Sequence, residues 1–205
     1  MKHFFRFVVF SLAILFAVCC ESGAGETQAP VLTTNTAAVS TNAQGDTTIL
    51  IIRHAEKGFY GSELSAEGKV RAGKLADYFT HCTVDDKAVK LDHLFATEDS
   101  DNSKRPRLTL EPLSKATGLS INDKYKNRQY EKLAAHIKKK CQGGQVLICW
   151  HHGTIPELLT ALGASPETVL PAGKWPDKEY NWVVQLRFDK DGRLTYSQCV
   201  NQSFD

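Results

Sequence analysis

The 205-residue sequence has almost no excess of charge: 25 Lys and Arg stand against 23 Asp and Glu, and Lys2 and Arg6 account for the difference. A chain that is neutral beyond its first residues offers no basic surface, so nucleic acid is not an expected partner. Metal-site spacing is missing too. No two of Cys82, Cys141, Cys149 and Cys199 form a CxxC, which leaves no zinc pattern and no metal or other cofactor to expect. No internal repeat is present. The longest apolar run lies within MKHFFRFVVFSLAILFAVCC and is short for a membrane span, with no stop-transfer pattern after it.

What that first stretch does have is a basic start and an apolar run that stops at a cysteine pair, the anatomy of a secretory signal. Ala17 and Val18 lead into Cys19 or Cys20, as in a bacterial lipoprotein signal, and either cysteine is a candidate for lipid attachment. Residues 1–20 are therefore expected to be a signal peptide of lipoprotein type, with ordinary secretion and an uncleaved anchor as alternatives. Residues 21–46 are rich in Ser, Thr, Asn, Gly and Ala and read as a disordered tether. The expected product is an exported domain, 47–205, held in the bacterial cell envelope by a lipid anchor. In an oxidising compartment its four cysteines would form up to two disulfides in one of three connectivities, although Cys149, inside an apolar run, reads as a packed thiol.

The domain opens on TTILIIRHAEK, Thr47 to Lys57, a β-branched apolar run that ends abruptly in Arg53 and His54. Such a run reads as a buried strand, and open α/β sheets bind ligands at the carboxyl ends of their strands. Ser65 then opens a helix whose Ala72, Leu75, Ala76, Phe79 and Cys82 share one face. LDHLFATE, Leu91 to Glu98, reads as a second strand, followed by RPRLTLEPLSKATG, helical in part despite Pro106 and Pro112. A variable segment, SINDKYKNRQ, precedes the helix YEKLAAHIKKKC, which Gly143 and Gly144 end. QVLICW, Gln145 to Trp150, is the third apolar run and terminates in His151 and His152 before the helix IPELLTALG. NWVVQLRF and RLTYSQCV flank DKDG, a β-hairpin signal. This alternation predicts a three-layer α/β/α sandwich with a largely parallel sheet and an antiparallel edge hairpin.

Three strand ends thus deliver arginine and histidine, the residue types that a phosphoryl group, with its several anionic oxygens, demands. The ordered set of RHAEK, the Arg-x-x-x-Thr of Arg105 to Thr109, and a late strand ending in His before a helix resembles the histidine phosphatase superfamily, also called phosphoglycerate mutase-like. The resemblance runs from about Ile49 to Gly163. It implies that Arg53 binds phosphate, that His54 becomes transiently phosphorylated, and that Arg105 and a histidine of the WHHG stretch complete the pocket. His54 would attack phosphorus in line, water would hydrolyse the phosphohistidine, and the scheme requires no metal. The acid for the leaving oxygen stays open among Glu56, Glu98, Asp99 and Asp101.

Two readings of the second histidine compete. Helix phase favours His151, from which Ile155, Leu158 and Leu159 fall at the spacing of the common family pattern. A branch of the superfamily with Cys-Trp-Glu-His here and a later Trp-Pro, as in Lys174-Trp175-Pro176, favours His152, and His152 is the preferred residue. Ala55 stands where many members have Gly. His81, His93 and His136 read as structural or surface residues. The expected activity is hydrolysis of a small phosphorylated substrate; a phosphoryl-transferring mutase and a non-catalytic phospholigand-binding module are the alternatives. Neither the identity of the substrate nor the oligomeric state follows from the sequence.

Overall fold

The structure, a computed structural model, describes residues 46–84 and 87–202. The expected signal peptide, 1–20, and all but the last residue of the expected tether, 21–46, lie outside the described residues. Among the described residues no helix is long and apolar enough to cross a membrane.

The first strand, β1 (Thr47–Arg53), is buried along its whole length. β4 (His93–Thr97) and β6 (Gln145–Trp150) run parallel beside it, with β6 between β1 and β4. Its two faces supply separate cores. Ile49 and Ile51 pack with Ile148, Trp150 and the helices α3 (Tyr130–Lys140) and α4 (Ile155–Leu162). Leu50 and Ile52 pack with Leu147 and Cys149 against α1 (Ala66–His81) and α2 (Arg105–Thr117). Alternation along a strand thus builds the predicted three layers, each buried Ile or Leu contributing about 1.5–3 kcal/mol.

The sheet order is β5-β4-β6-β1-β7-β8. β5 (Ile121–Tyr125) extends the parallel part, and the hairpin β7 (Trp182–Phe188) and β8 (Leu194–Asn201) adds two antiparallel strands beside β1. Its turn is the DKDG stretch, where Gly192 takes φ 75° and donates its N–H to the Asp189 carbonyl at 2.9 Å. A two-stranded piece, β2 (Thr83–Val84) with β3 (Lys87–Ala88), and a short helix α5 (Pro166–Val169) lie outside the main sheet.

The structure differs from the sequence reading at three places. SINDKYKNRQ contains an edge strand, β5, whose polar residues Asn122, Asp123 and Lys124 give it no apolar signal. α2 is one helix despite two prolines: Pro106 sits in its first turn, where the missing N–H has no partner to lose, and Pro112 is carried inside. All four cysteines are free thiols, so the expected disulfides are absent. The sheet leaves two on each side, Cys199 packing against the core that holds Cys141. Cys82 and Cys149 belong to the α1/α2 core, Cys141 to the α3/α4 core, and Cys199 lies on β8. Cys149 is fully buried, and burial pushes its thiol pKa up.

Candidate active site

Parallel register fixes where the site stands. Arg53 is opposite Trp150, and Ala96 opposite Cys149, so β1, β4 and β6 stop at one edge and present Arg53, Thr97 and Trp150 side by side. Each strand hands the chain to a loop there. β6 lies between β1 and β4 although it follows both, which makes this edge a topological switch point, the usual ligand crevice of an open α/β sheet.

His54 follows β1 and is only 4% exposed. Its Nδ1 lies 2.7 Å from the Ala55 carbonyl oxygen, which can only accept, so Nδ1 carries the proton and Nε2 keeps its lone pair. Burial is the main cause that lowers its pKa to about 3, with the neighbouring His151, Arg53 and Arg105 acting in the same direction. At neutral pH the ring is uncharged and nucleophilic. His151 meets it edge to face, ring centroids 5.2 Å apart. Burial again, followed by the charge of Arg105, lowers His151 to about 4, and its Nε2 lies 3.3 Å from Thr97 Oγ1.

Arg53 is buried at 4% exposure and held from one side by the loop Trp175–Asn181. Its Nη1 donates to the carbonyls of Pro176 at 3.2 Å, Asp177 at 2.7 Å and Glu179 at 3.0 Å, and its guanidinium stacks 3.9 Å over the Tyr180 ring. Its Nη2 donates to His152 Nδ1 at 3.2 Å. Arg105, at the start of α2, is half-buried and donates from Nη1 to the Gly61 carbonyl at 3.4 Å. The Nε of Arg53 and the Nε of Arg105 are both buried without a partner among the described residues, leaving each guanidinium a donor for an anion.

Thr109 explains the second half of the Arg-x-x-x-Thr motif. One turn after Arg105, its Oγ1 accepts from the Ala55 N–H at 2.9 Å and donates to the Arg105 carbonyl at 2.8 Å. α2 is thereby fastened to the loop that carries His54. α1 is fastened to the same loop by close approach: a Cβ on Gly68 would lie 2.4 Å from the Glu56 carbonyl oxygen. Glu56 itself pairs with Arg71 at 2.7 Å, and Arg71 reaches Asn181 Oδ1 at 2.6 Å.

No family model matches the chain, and no curated protein matches it. Solved structures do. An Escherichia coli K-12 protein provisionally assigned as an alpha-ribazole-5'-P phosphatase superposes with a TM-score of 0.51, at 12% identity, over 77% of this chain and 96% of its own. An Agrobacterium tumefaciens protein provisionally assigned as the phosphohistidine phosphatase SixA superposes with a TM-score of 0.50, at 18% identity, over 73% of this chain and 96% of its own. The fold is phosphoglycerate mutase-like. At these identities the likeness speaks for the fold alone.

Within that phosphoglycerate mutase-like fold, the candidates foreseen from sequence divide. Arg53, His54, Arg105 and His151 converge on the strand edge. His152, the preferred second histidine, instead turns to Arg53 and Asp177, the latter at 3.0 Å, while His151 faces His54. Among the candidate acids, Glu56 is held by Arg71, and Asp99 takes two donors from Arg107 at 2.9 and 2.8 Å. Glu98 and Asp101 are both exposed, with no side-chain partner among the described residues. His81 lies at the exposed end of α1, and His93 and His136 pack on Phe95, all away from His54. Among the described residues no group of three or more His, Cys, Asp or Glu is arranged to hold a metal ion. Sequence reasoning missed Thr97, Asp177 and Tyr180. Thr97 had a signal, as the last residue of a strand ending at the same edge; the other two had none.

Proposed function

We propose that the protein is a phosphomonoesterase of the histidine phosphatase type, acting on a small phosphorylated substrate through a phosphohistidine at His54. The observation that carries this reading is a buried, neutral histidine with an unprotonated Nε2, set beside two arginines that each keep an unpartnered Nε–H. Nε2 attacks phosphorus in line and the ester P–O bond breaks. The two guanidinium groups neutralise charge on the equatorial oxygens, and His151 donates a hydrogen bond to one of them. Of the four candidate acids, Glu98 and Asp101 keep a carboxyl without a side-chain partner among the described residues, and one of them gives a proton to the departing alkoxide. Water then attacks the phosphohistidine and gives a proton back to that carboxylate, and the P–N bond breaks, releasing phosphate and restoring the His54 lone pair. The export signal and the lipid anchor at Cys19 or Cys20 belong to the same proposal, which sets the enzyme in the cell envelope.

The test is turnover of p-nitrophenyl phosphate by the full chain. His54→Ala should lower kcat/KM by at least about a thousand-fold, and the parent, quenched during turnover, should hold acid-labile phosphate that the variant lacks. Equal turnover in both proteins would refute the nucleophile. Phosphate binding with neither turnover nor a phosphoenzyme would favour the binding module.

A further inference from the structure

His152 has no ring nitrogen free for a substrate. Its Nδ1 faces Arg53 Nη2 at 3.2 Å, and its Nε2 faces an Asp177 carboxylate oxygen at 3.0 Å. An arginine can only donate, so Nδ1 is the acceptor; Nε2 then holds the proton and donates it to Asp177. The tautomer is fixed from both sides. The same loop that supplies Asp177 supplies the three carbonyls on Arg53 Nη1, and it is anchored in turn. Trp175, 4% exposed in the α3/α4 core, donates its indole N–H to the Glu179 carbonyl at 2.9 Å.

We propose that Asp177, His152 and the carbonyls of Pro176, Asp177 and Glu179 form a relay that fixes the Arg53 guanidinium, so that His152 is a positioning residue and does not touch the phosphoryl group. The inference rests on the reading of Arg53 as a phosphoryl ligand. It carries a pH dependence. A protonated His152 loses its acceptor and sets a cation against Arg53, which frees one end of the guanidinium. Arg53 and Lys57 oppose that protonation from β1 and its loop, His151 lies next to it on the chain, and Asp177 alone favours it from the loop. The Asp177 side chain is 91% exposed, so solvent screens its pull, and burial with Arg53 keeps the His152 pKa below the ordinary histidine value. The relay therefore opens on the acid side of that value.

Two measurements on the full chain test it. Long-range 1H–15N NMR of the histidine rings should find His152, assigned by its loss in His152→Asn, protonated at Nε2 and bare at Nδ1 at pH 8. Asp177→Asn should move its titration to lower pH. A His152 ring protonated at Nδ1, or a titration unmoved by Asp177→Asn, would overturn the relay. In kinetics with p-nitrophenyl phosphate, His152→Ala should lower kcat/KM about ten-fold. His152→Asn, whose side-chain carbonyl can stand where Nδ1 stood, should recover at least half the parent value and move the acid limb of the profile to lower pH. The substrate's own ionisation is common to all variants. A His152→Asn loss as deep as that of His54→Ala would overturn the relay, since it would make His152 a phosphoryl contact. The NMR arm needs no turnover, so an inactive parent condemns the phosphatase reading alone, and a wrong tautomer condemns the relay alone.

Discussion

Acid should unfold this domain through the two histidines at its strand ends. Burial lowers His54 to about 3 and His151 to about 4 in the folded protein, whereas both titrate near 6.5 in the unfolded chain. Between those values the unfolded state binds more protons, so stability is complete above about pH 6.5 and is lost as the pH falls toward the folded pKa values. At about 1.4 kcal/mol per pH unit, moving from pH 8 to pH 5 costs about 2 kcal/mol for each ring. Both rings are still neutral in the folded protein at pH 5, so the losses add to about 4 kcal/mol, a large share of the 5–15 kcal/mol of an ordinary domain. His54→Asn isolates one of them, because its amide N–H can still donate to the Ala55 carbonyl while nothing titrates. Urea unfolding, followed by the fluorescence of Trp150, Trp175 and Trp182, should show the variant losing about 2 kcal/mol less than the parent between pH 8 and pH 5. Carboxylate contributions are common to both proteins. An equal loss in parent and variant would refute the account of His54 as a ring held neutral by burial.

Thr109→Val should cost about 1–3 kcal/mol, because it removes the acceptor of the buried Ala55 N–H. Thr109→Ser should restore most of that in urea midpoints, and a valine variant as stable as the parent would show that Ala55 finds another partner. The anchor proposal predicts incorporation of a labelled fatty acid into the full chain and its loss in the Cys19→Ala, Cys20→Ala double variant. Label retained by that variant would place the lipid elsewhere.

The strands that position the site were legible because each is a short apolar run stopping at a polar residue. β1 and β6 are buried on both faces by two helical layers, which calls for a near-continuous apolar run, so the pattern announces itself. β5 is an edge strand with half-exposed side chains, and its selection comes from pairing with β4, which no local pattern encodes. The disulfide expectation failed for a related reason. Composition and compartment count cysteines, but pairing needs two side chains brought together, and Cys82 and Cys149 in one core and Cys141 and Cys199 at the other all remain free thiols.

The site was legible as residue types and illegible as partnerships. Arg53, His54 and Arg105 announce themselves because each is a costly residue beside a strand end or at the start of a helix. The choice between His151 and His152 turned on direction. Helix phase carried the physical information, since Ile155, Leu158 and Leu159 are all buried in the core that α4 covers and His151 is the residue in phase with them. At the Trp-Pro element that favoured His152, Trp175 anchors the loop whose carbonyls hold Arg53, 126 residues away from Glu179 in the chain. A loop that binds through main-chain oxygens leaves no requirement on most of its side chains, so sequence cannot advertise it. Trp175, Asp177 and Tyr180 contribute side chains to that arrangement, and each is ordinary when read alone. The preference for His152 followed a true signal of its surroundings: the same Trp-Pro loop that draws His152 toward Arg53 also engages both of its ring nitrogens, and the relay proposed above makes its part the positioning of that arginine.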